Sequence, residues 1–400
     1  MPALMGELQL SVGRKLRYGM IGGGPGASIG AVHRRAAALD GDIELVAGAF
    51  STDAGRSAAQ GRDLLLSPDR VYGSFADMAA GEVDVSPQSR MDFVVIVTPN
   101  DLHFDVARRF LDAGFFVVCD KPLTTTVRDA NTLVDLVEKR QALFAVTYNY
   151  SGYPMVKQAR EMVRSGELGE IRKIVVEYSQ GWLTQAIELE GQKQASWRSD
   201  PMRGGPALVL GDIGTHAEHL VRYVTGLQVD SVFAELTTFV PGRQLEDDAS
   251  VLFHCAGGVR GVMLVSQVSV GEENALGLRV YGTHASLEWM QERPNYLIVR
   301  PDGHPTQRYA RGNTYLCDAA KAASRLPPGH PEGFIEAFAN VYADFARDVS
   351  ARLSGSRVED SPQYPTVHDG MLGVKFVRAA LESHRTGGWV DVMTDCGEDE

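Results

Sequence analysis

The spacing of apolar residues changes near Tyr148, and that change divides the chain into two differently patterned halves. Before it, short apolar runs at 16–22, 43–49, 93–97, 115–119 and 143–147 alternate with stretches of helical spacing. Phe104, Ala107, Phe110 and Leu111, ended by Gly114, make one such stretch, and Val127, Ala130, Leu133, Val134 and Val137 make another. Continuous apolar strands separated by amphipathic helices predict a doubly wound parallel sheet, whose ligand lies at the carboxyl ends of the strands. After Tyr148 the pattern becomes alternating, with strands expected at 171–178, 232–239, 250–255, 261–270 and 276–281 and turns at Gly257-Gly258 and Gly282. That is a mostly antiparallel sheet with one solvated or partner-covered face. A helical stretch at about 208–225 interrupts it, 306–331 reads as an irregular excursion, and helices follow at 334–353 and about 368–384.

Several strand ends carry candidate chemistry. The first runs into Gly22-Gly23-Gly24-Pro25-Gly26-Ala27-Ser28-Ile29-Gly30, where small residues let backbone N–H groups approach a pyrophosphate and the next helix points its positive end at the anion. Gly22 and Gly24 fit the GxGxxG spacing, and the third place falls on Ala27 or, after an expansion, on Gly30. A bare turn is an equal alternative for the motif alone. At the second strand end, where an acidic residue would hold an adenosine ribose, stands Phe50, followed by Ser51, Asp53 and Arg56. Ser51 with Arg56 suits a 2′-phosphate, and Asp53 suits a ribose, so both dinucleotides stay open. The third strand ends in Thr98-Pro99-Asn100 with His103 close behind, and the fourth in Asp120-Lys121-Pro122. Lys121 directly follows an apolar strand at the ligand-binding edge, which argues against a merely solvated lysine.

In the second half, Gly211-Asp212-Ile213-Gly214-Thr215-His216 places a carboxylate and an imidazole four apart where a helix begins. The spacing alone permits a hydroxyl-binding pair, a metal site or a helix cap. Trp197 and Arg198 lie upstream, in a loop able to cover a polyol or to act as a structural anchor. Tyr148, Asn149, Tyr150 and Tyr153 follow the fifth strand, where substrate contact and core packing are both open.

Composition narrows the partners. With 400 residues, 44% hydrophobic and 22% charged, the chain can bury a large core, and its length suggests two domains or one with a big insertion. A formal net charge of −12 argues against nucleic acid or an anionic membrane surface. No signal-peptide core stands in the first fifteen residues and no later run reaches membrane-spanning length, so a cytoplasmic protein with a small-molecule substrate is expected. Cys119, Cys255, Cys317 and Cys396 are far apart and form no CxxC, which indicates reduced thiols rather than a disulfide framework or a cysteine zinc site.

In this order, the glycine-rich turn, Thr98-Pro99-Asn100 with His103, Asp120-Lys121-Pro122 and the 211–216 motif make the sequence resemble the Gfo/Idh/MocA family, relatives of glucose-fructose oxidoreductase and inositol dehydrogenase. The resemblance covers nearly the whole chain. It implies an α/β Rossmann domain with a doubly wound parallel sheet at 1–150, then an α+β domain with a large, mostly antiparallel open sheet at 151–400, with a C-terminal helix able to pack back on the first. It also implies NAD or NADP as cofactor, NAD slightly preferred, bound by Gly22, Gly24, Pro25, Gly26, Ala27, Ser51, Arg56, Thr98, Pro99, Asn100, His103, Asp120 and Lys121. The family's Glu-Lys-Pro matches Asp120-Lys121-Pro122, and its Asp-x-Gly-x-His matches Asp212, Gly214 and His216. A sugar or polyol dehydrogenase is then expected, with His216 as general base, Lys121 as donor to the reacting oxygen and Asp212 on a hydroxyl. Tyr148, Asn149, Tyr150, Tyr153, Trp197 and Arg198 would line the substrate, no metal would be required, and a homodimer or homotetramer would form. His219 stands where the family commonly has a carboxylate. A redox-assisted glycosidase and a silent sugar or dinucleotide sensor remain alternatives, and a metal hydrolase using Asp212, His216 and His219 is disfavoured by the lack of HExxH.

Overall fold

The computed structural model describes residues 10–358 and 361–394; Cys396 and most of the N-terminal stretch considered above lie outside the described residues. Along the chain the elements are β1 (Leu16–Gly22), α1 (Ser28–Ala38), β2 (Ile43–Ala49), α2 (Ala54–Asp63), α3 (Phe75–Asp84), β3 (Phe93–Val97), α4 (His103–Asp112), β4 (Phe116–Cys119), α5 (Val127–Arg140) and β5 (Phe144–Val146). Then come α6 (Pro154–Arg164), β6 (Ile171–Ser179), α7 (Lys193–Arg198), α8 (Pro201–Gly204), α9 (Thr215–Thr225), β7 (Val229–Thr237), β8 (Asp248–Cys255) and β9 (Arg260–Ser266). The chain continues through β10 (Ala275–Gly282), β11 (Ala285–Met290), β12 (Tyr296–Pro301), β13 (Gln307–Ala310), α10 (Asp318–Ala322), α11 (Phe334–Leu353), α12 (Val367–Thr386) and β14 (Val390–Asp391). The stretch expected to be irregular, 306–331, therefore contains β13 and the short α10.

Two compact units result, one from Met1–Gly152 with Gly333–Met371, the other from Tyr153–Glu332 with Leu372–Glu400. In the first, among the described residues, five parallel strands run in the order β2-β1-β3-β4-β5. Every side chain of β3, Phe-Val-Val-Ile-Val, is buried, as expected of a central strand covered on both faces. The strand order reverses direction between β1 and β3, which makes their carboxyl ends the place where an α/β sheet opens to a ligand.

The expected second domain, 151–400, is interrupted, because α11 belongs to the first unit. Its buried Phe338, Tyr342, Phe345, Ala346 and Val349 share one core cluster with Leu16, Tyr18, Met20, Phe93 and Val95. Phe345 meets Phe93 edge-on, with centroids 5.4 Å apart. That apolar stripe has a wall to cover on the parallel sheet, which explains why the segment returns there.

In the second unit, among the described residues, nine strands form one sheet in the order β13-β12-β11-β10-β6-β9-β8-β7-β14. β6 and β9 pair in parallel and the remaining neighbours are antiparallel. One face buries Ile174, Val176, Val265, Leu278, Val280 and Leu287, with α6 and α9 packed over this region. The other face carries Leu252, Leu264, Tyr281, Met290 and Tyr296, each more than a third exposed.

Candidate active site

In the first unit, β1 ends in a glycine turn whose backbone only glycine tolerates. Gly22, Gly23 and Gly26 have φ of +85°, +69° and +79°. A Cβ on Gly24 would stand 2.5 Å from the Phe50 carbonyl oxygen, and one on Gly30 would stand 2.5 Å from the Gly23 Cα. Close helix-to-turn packing therefore rests on Gly30, while Ala27 is the residue before α1 and its N–H donates to the Gly24 carbonyl at 3.0 Å. Pro25 and Gly26 form the exposed crest of the turn. Helix α1 has no side-chain cap and no acidic residue in its first turn, so its leading N–H groups suit an anion. At the end of β2, Phe50 is buried and Ser51 half-buried. The Asp53 carboxylate is committed to capping α2, accepting from the Arg56 N–H at 2.7 Å, while the Arg56 side chain is exposed.

His103, fully buried at the start of α4, braces two loops. Its Nδ1 lies 2.8 Å from the Pro122 carbonyl and its Nε2 3.1 Å from the Thr98 carbonyl. Burial lowers its pKa, against the opposing pull of Asp120 and the two carbonyls. Asn100 beside it is also buried. At the end of β4, Asp120 accepts from its neighbour's N–H, that of Lys121, at 2.9 Å and from the Thr147 hydroxyl at 2.8 Å. Its other oxygen is 3.8 Å from Nε2 of buried His33, whose Nδ1 meets the Tyr342 hydroxyl at 2.7 Å. Burial alone would raise the Asp120 carboxyl; interaction with His33 and the charges of His33, Lys121 and His103 outweigh it and hold it well below the usual carboxylate range. Lys121, half-buried, thus stands on a loop fixed from three sides and followed by a cis Lys121–Pro122 peptide. Tyr148, Asn149 and Tyr150 are buried, Tyr150 packing edge-on against Phe334.

In the second unit, the 211–216 motif does not open a regular α-helix. The Thr215 N–H bonds to the Leu210 carbonyl, five residues back, so Leu210–Gly214 is a π-helical turn leading into α9. Glu246 supports it, with a carboxyl oxygen 3.1 Å from the Leu210 N–H and its own carbonyl 3.3 Å from the Val209 N–H. Burial pushes the Glu246 carboxyl up to about 7. The Asp212 carboxylate accepts from Arg198 Nε at 3.2 Å through one oxygen and from Gln267 Nε2 at 2.8 Å through the other. Arg198 also stacks over the Trp197 ring at 4.3 Å and donates to Gln194 Oε1 at 2.7 Å, so α7 is brought to the motif. His216 is buried at 7% exposure at the start of α9, and His219 is buried beside Tyr223, with ring centroids 5.9 Å apart. Tyr153 lies in the core against Trp289, centroids 5.3 Å apart, rather than at an open surface.

Gln267 and Gln180 were not among the residues singled out in the sequence. Gln267 directly follows β9, and Gln180 follows β6, its Oε1 accepting from Trp182 Nε1 at 3.0 Å and from Gln267 Nε2 at 3.3 Å. No motif marks an isolated amide at a strand end. Among the described residues, no group of three or more His, Cys, Asp or Glu side chains converges as a metal site, and no helix is long and apolar enough to cross a membrane.

Residues 16–148 match the oxidoreductase family with an NAD-binding Rossmann fold, and residues 156–288 match the GFO/IDH/MocA C-terminal domain. An uncharacterized oxidoreductase of Bacillus subtilis, YfiI, is 33% identical over 95% of this chain and 98% of its own length. The chain belongs to the Gfo/Idh/MocA family. Among solved Gfo/Idh/MocA-like structures, an Azotobacter vinelandii inositol dehydrogenase homologue complexed with NAD+ superposes with a TM-score of 0.88 at 38% identity, covering 94% of this chain and 97% of that one. The same homologue complexed with NADH and myo-inositol gives 0.87 at 36%, over 96% and 100%. This Gfo/Idh/MocA chain thus carries an NAD-binding Rossmann domain of an oxidoreductase family, and the glycine turn with the open start of α1 fits the pyrophosphate such a domain holds.

Proposed function

We propose that the protein is an NAD(P)-dependent dehydrogenase that moves a hydride between a secondary hydroxyl of a sugar, sugar derivative or inositol and nicotinamide. The observation that carries this reading is the fixed Asp120-Lys121-Pro122 loop at the ligand-binding end of β4, in the same unit as the dinucleotide turn. The myo-inositol in a relative 36% identical to this chain supports the substrate class.

The glycine turn and the start of α1 hold the pyrophosphate, with Ser51 and Arg56 toward the adenosine ribose and Thr98, Pro99, Asn100 and His103 shaping the β3 side. The bound cofactor supplies nicotinamide as hydride acceptor. Lys121 donates a hydrogen bond to the reacting oxygen and stabilises its developing negative charge. His216 accepts the hydroxyl proton, and Asp212 accepts a hydrogen bond from a hydroxyl of the substrate. Trp197 and Arg198 contribute a stacking face and a cation near Asp212. Tyr148, Tyr150 and Tyr153 we assign to packing, given their burial.

NAD is the preferred dinucleotide in this reading, on the strength of the NAD+ and NADH relatives. The absence of a carboxylate at Phe50 leaves NADP tolerated. A screen of inositols, aldoses and glycosides against both dinucleotides tests the proposal. Net formation of reduced nicotinamide with at least one free polyol or sugar, faster with NAD, is expected. Aglycone release without net reduced nicotinamide would assign a glycosidase instead, and dinucleotide binding without turnover a sensor.

A further inference from the structure

Asp212 is the only carboxylate of the proposed substrate-binding set, and its two oxygens are treated differently. One faces Arg198 in a half-open setting, the Arg198 and Asp212 side chains being 21% and 16% exposed. The other faces Gln267, which is fully buried. The orientation of the Gln267 amide is dictated by charge: its NH2 group reaches both the Asp212 carboxylate and the Gln180 carbonyl oxygen, and a turned amide would set an oxygen against each of them. The Gln267 main chain is equally fixed, its N–H donating to the Asp247 carbonyl at 2.9 Å and its carbonyl accepting from the Leu183 N–H at 3.0 Å. A buried amide aimed at a carboxylate by its own backbone and by a second amide is built to set that carboxylate's direction and charge.

We propose that Gln267 is the positioning residue for Asp212. It holds one carboxylate oxygen from the sheet side while Arg198 holds the other from α7, which fixes the plane of the carboxylate that meets substrate hydroxyls. The proposal rests on Asp212 being a substrate ligand. Charged and titratable groups near Asp212 in this unit include Arg198 on α7, His216 four residues on, and Glu246, bonded to the backbone two residues before it.

The test uses the full-length protein with Gln267→Met, which keeps the shape and removes the donor, and Gln267→Glu, which sets a second carboxyl against Asp212. Carboxyl-labelled aspartate is followed by NMR, and the Asp212 resonance is identified by its loss in Asp212→Asn. In Gln267→Met the Asp212 titration is expected to move to higher pH and kcat/KM to fall about ten- to a hundredfold, the usual effect of removing a hydrogen bond to a charged group. Gln267→Glu is expected to move the titration further, because two close carboxyls cannot both ionise freely. Dinucleotide binding should be retained in both. An unmoved Asp212 titration in both variants, with Asp212→Asn inactive, overturns the assignment of Gln267 alone. Normal turnover and KM in Asp212→Asn would instead overturn the reading of Asp212 as a substrate ligand, and the positioning role with it.

Discussion

At the scale of single residues, the dinucleotide turn is a problem of hydrogen atoms. Gly30 faces Gly23 so closely that one methyl group would have to displace the turn against α1. Gly30→Ala is therefore expected to weaken dinucleotide binding at least tenfold and to destabilise the fold by about 1–3 kcal/mol, the usual cost of overpacking. A fluorescence titration with NADH and a thermal melt check both numbers. Ala27, the nearer candidate by spacing, should accept serine with little effect. The sequence left the two positions level because a motif counts residues, whereas the third glycine is decided by where α1 crosses the turn. The same limit hid Gln267 and Gln180. Lys121, Asp212 and His216 stood out as candidates because each lies at a strand end or helix start with a telling neighbour, and Arg198 because it follows a tryptophan; an amide after a β-strand has no such mark.

Among the elements, the π-helical turn at Leu210–Gly214 has the clearest energetic signature. Glu246 bonds its leading N–H from a buried position, and burial raises the carboxyl from 4.5 to about 7. A carboxyl raised on folding binds its proton more tightly in the native state, so its contribution falls as pH rises from the unfolded value through the folded one. At 1.36 kcal/mol per unit the loss is about 3 kcal/mol across that window. Glu246→Gln keeps an acceptor for the Leu210 N–H and removes the ionisation. Its melting temperature should exceed that of the wild type near pH 8 and differ little near pH 5; parallel curves at both would show that Glu246 does not ionise in this way. Strands β1, β2 and β3 coincide with the apolar runs because each is buried and bounded by turn residues. Helices α2, α3 and α6 and strands β11–β13 went unread, as did the short α7, α8 and β14; β13 is largely polar on the surface.

For the whole molecule, the open sheet of the second unit raises the question of assembly. Pairing register places Leu252, Leu264, Tyr281, Met290 and Tyr296 on the face opposite the helices. They are interleaved with the ion pairs Arg279–Glu177 at 3.0 Å and Arg300–Glu288 at 3.2 Å. Apolar side chains ringed by paired charges suit a second copy of the same face. Sedimentation is expected to give a dimer or tetramer, shifted toward monomer by Leu264→Lys; a wild-type monomer at all concentrations would refute this. The return of α11 to the first unit was not legible, since its amphipathic pattern says that a face is buried and not which wall buries it.

The reaction itself is tested most directly by measuring turnover and dinucleotide affinity together in Lys121→Ala and His216→Ala. With a substrate found by the screen, each variant should lose turnover by about two to four orders of magnitude, as expected for losing an acid/base or oxyanion-stabilising group, while NADH affinity stays within a few fold of wild type. Undiminished turnover in both variants would contradict the proposed roles of Lys121 and His216.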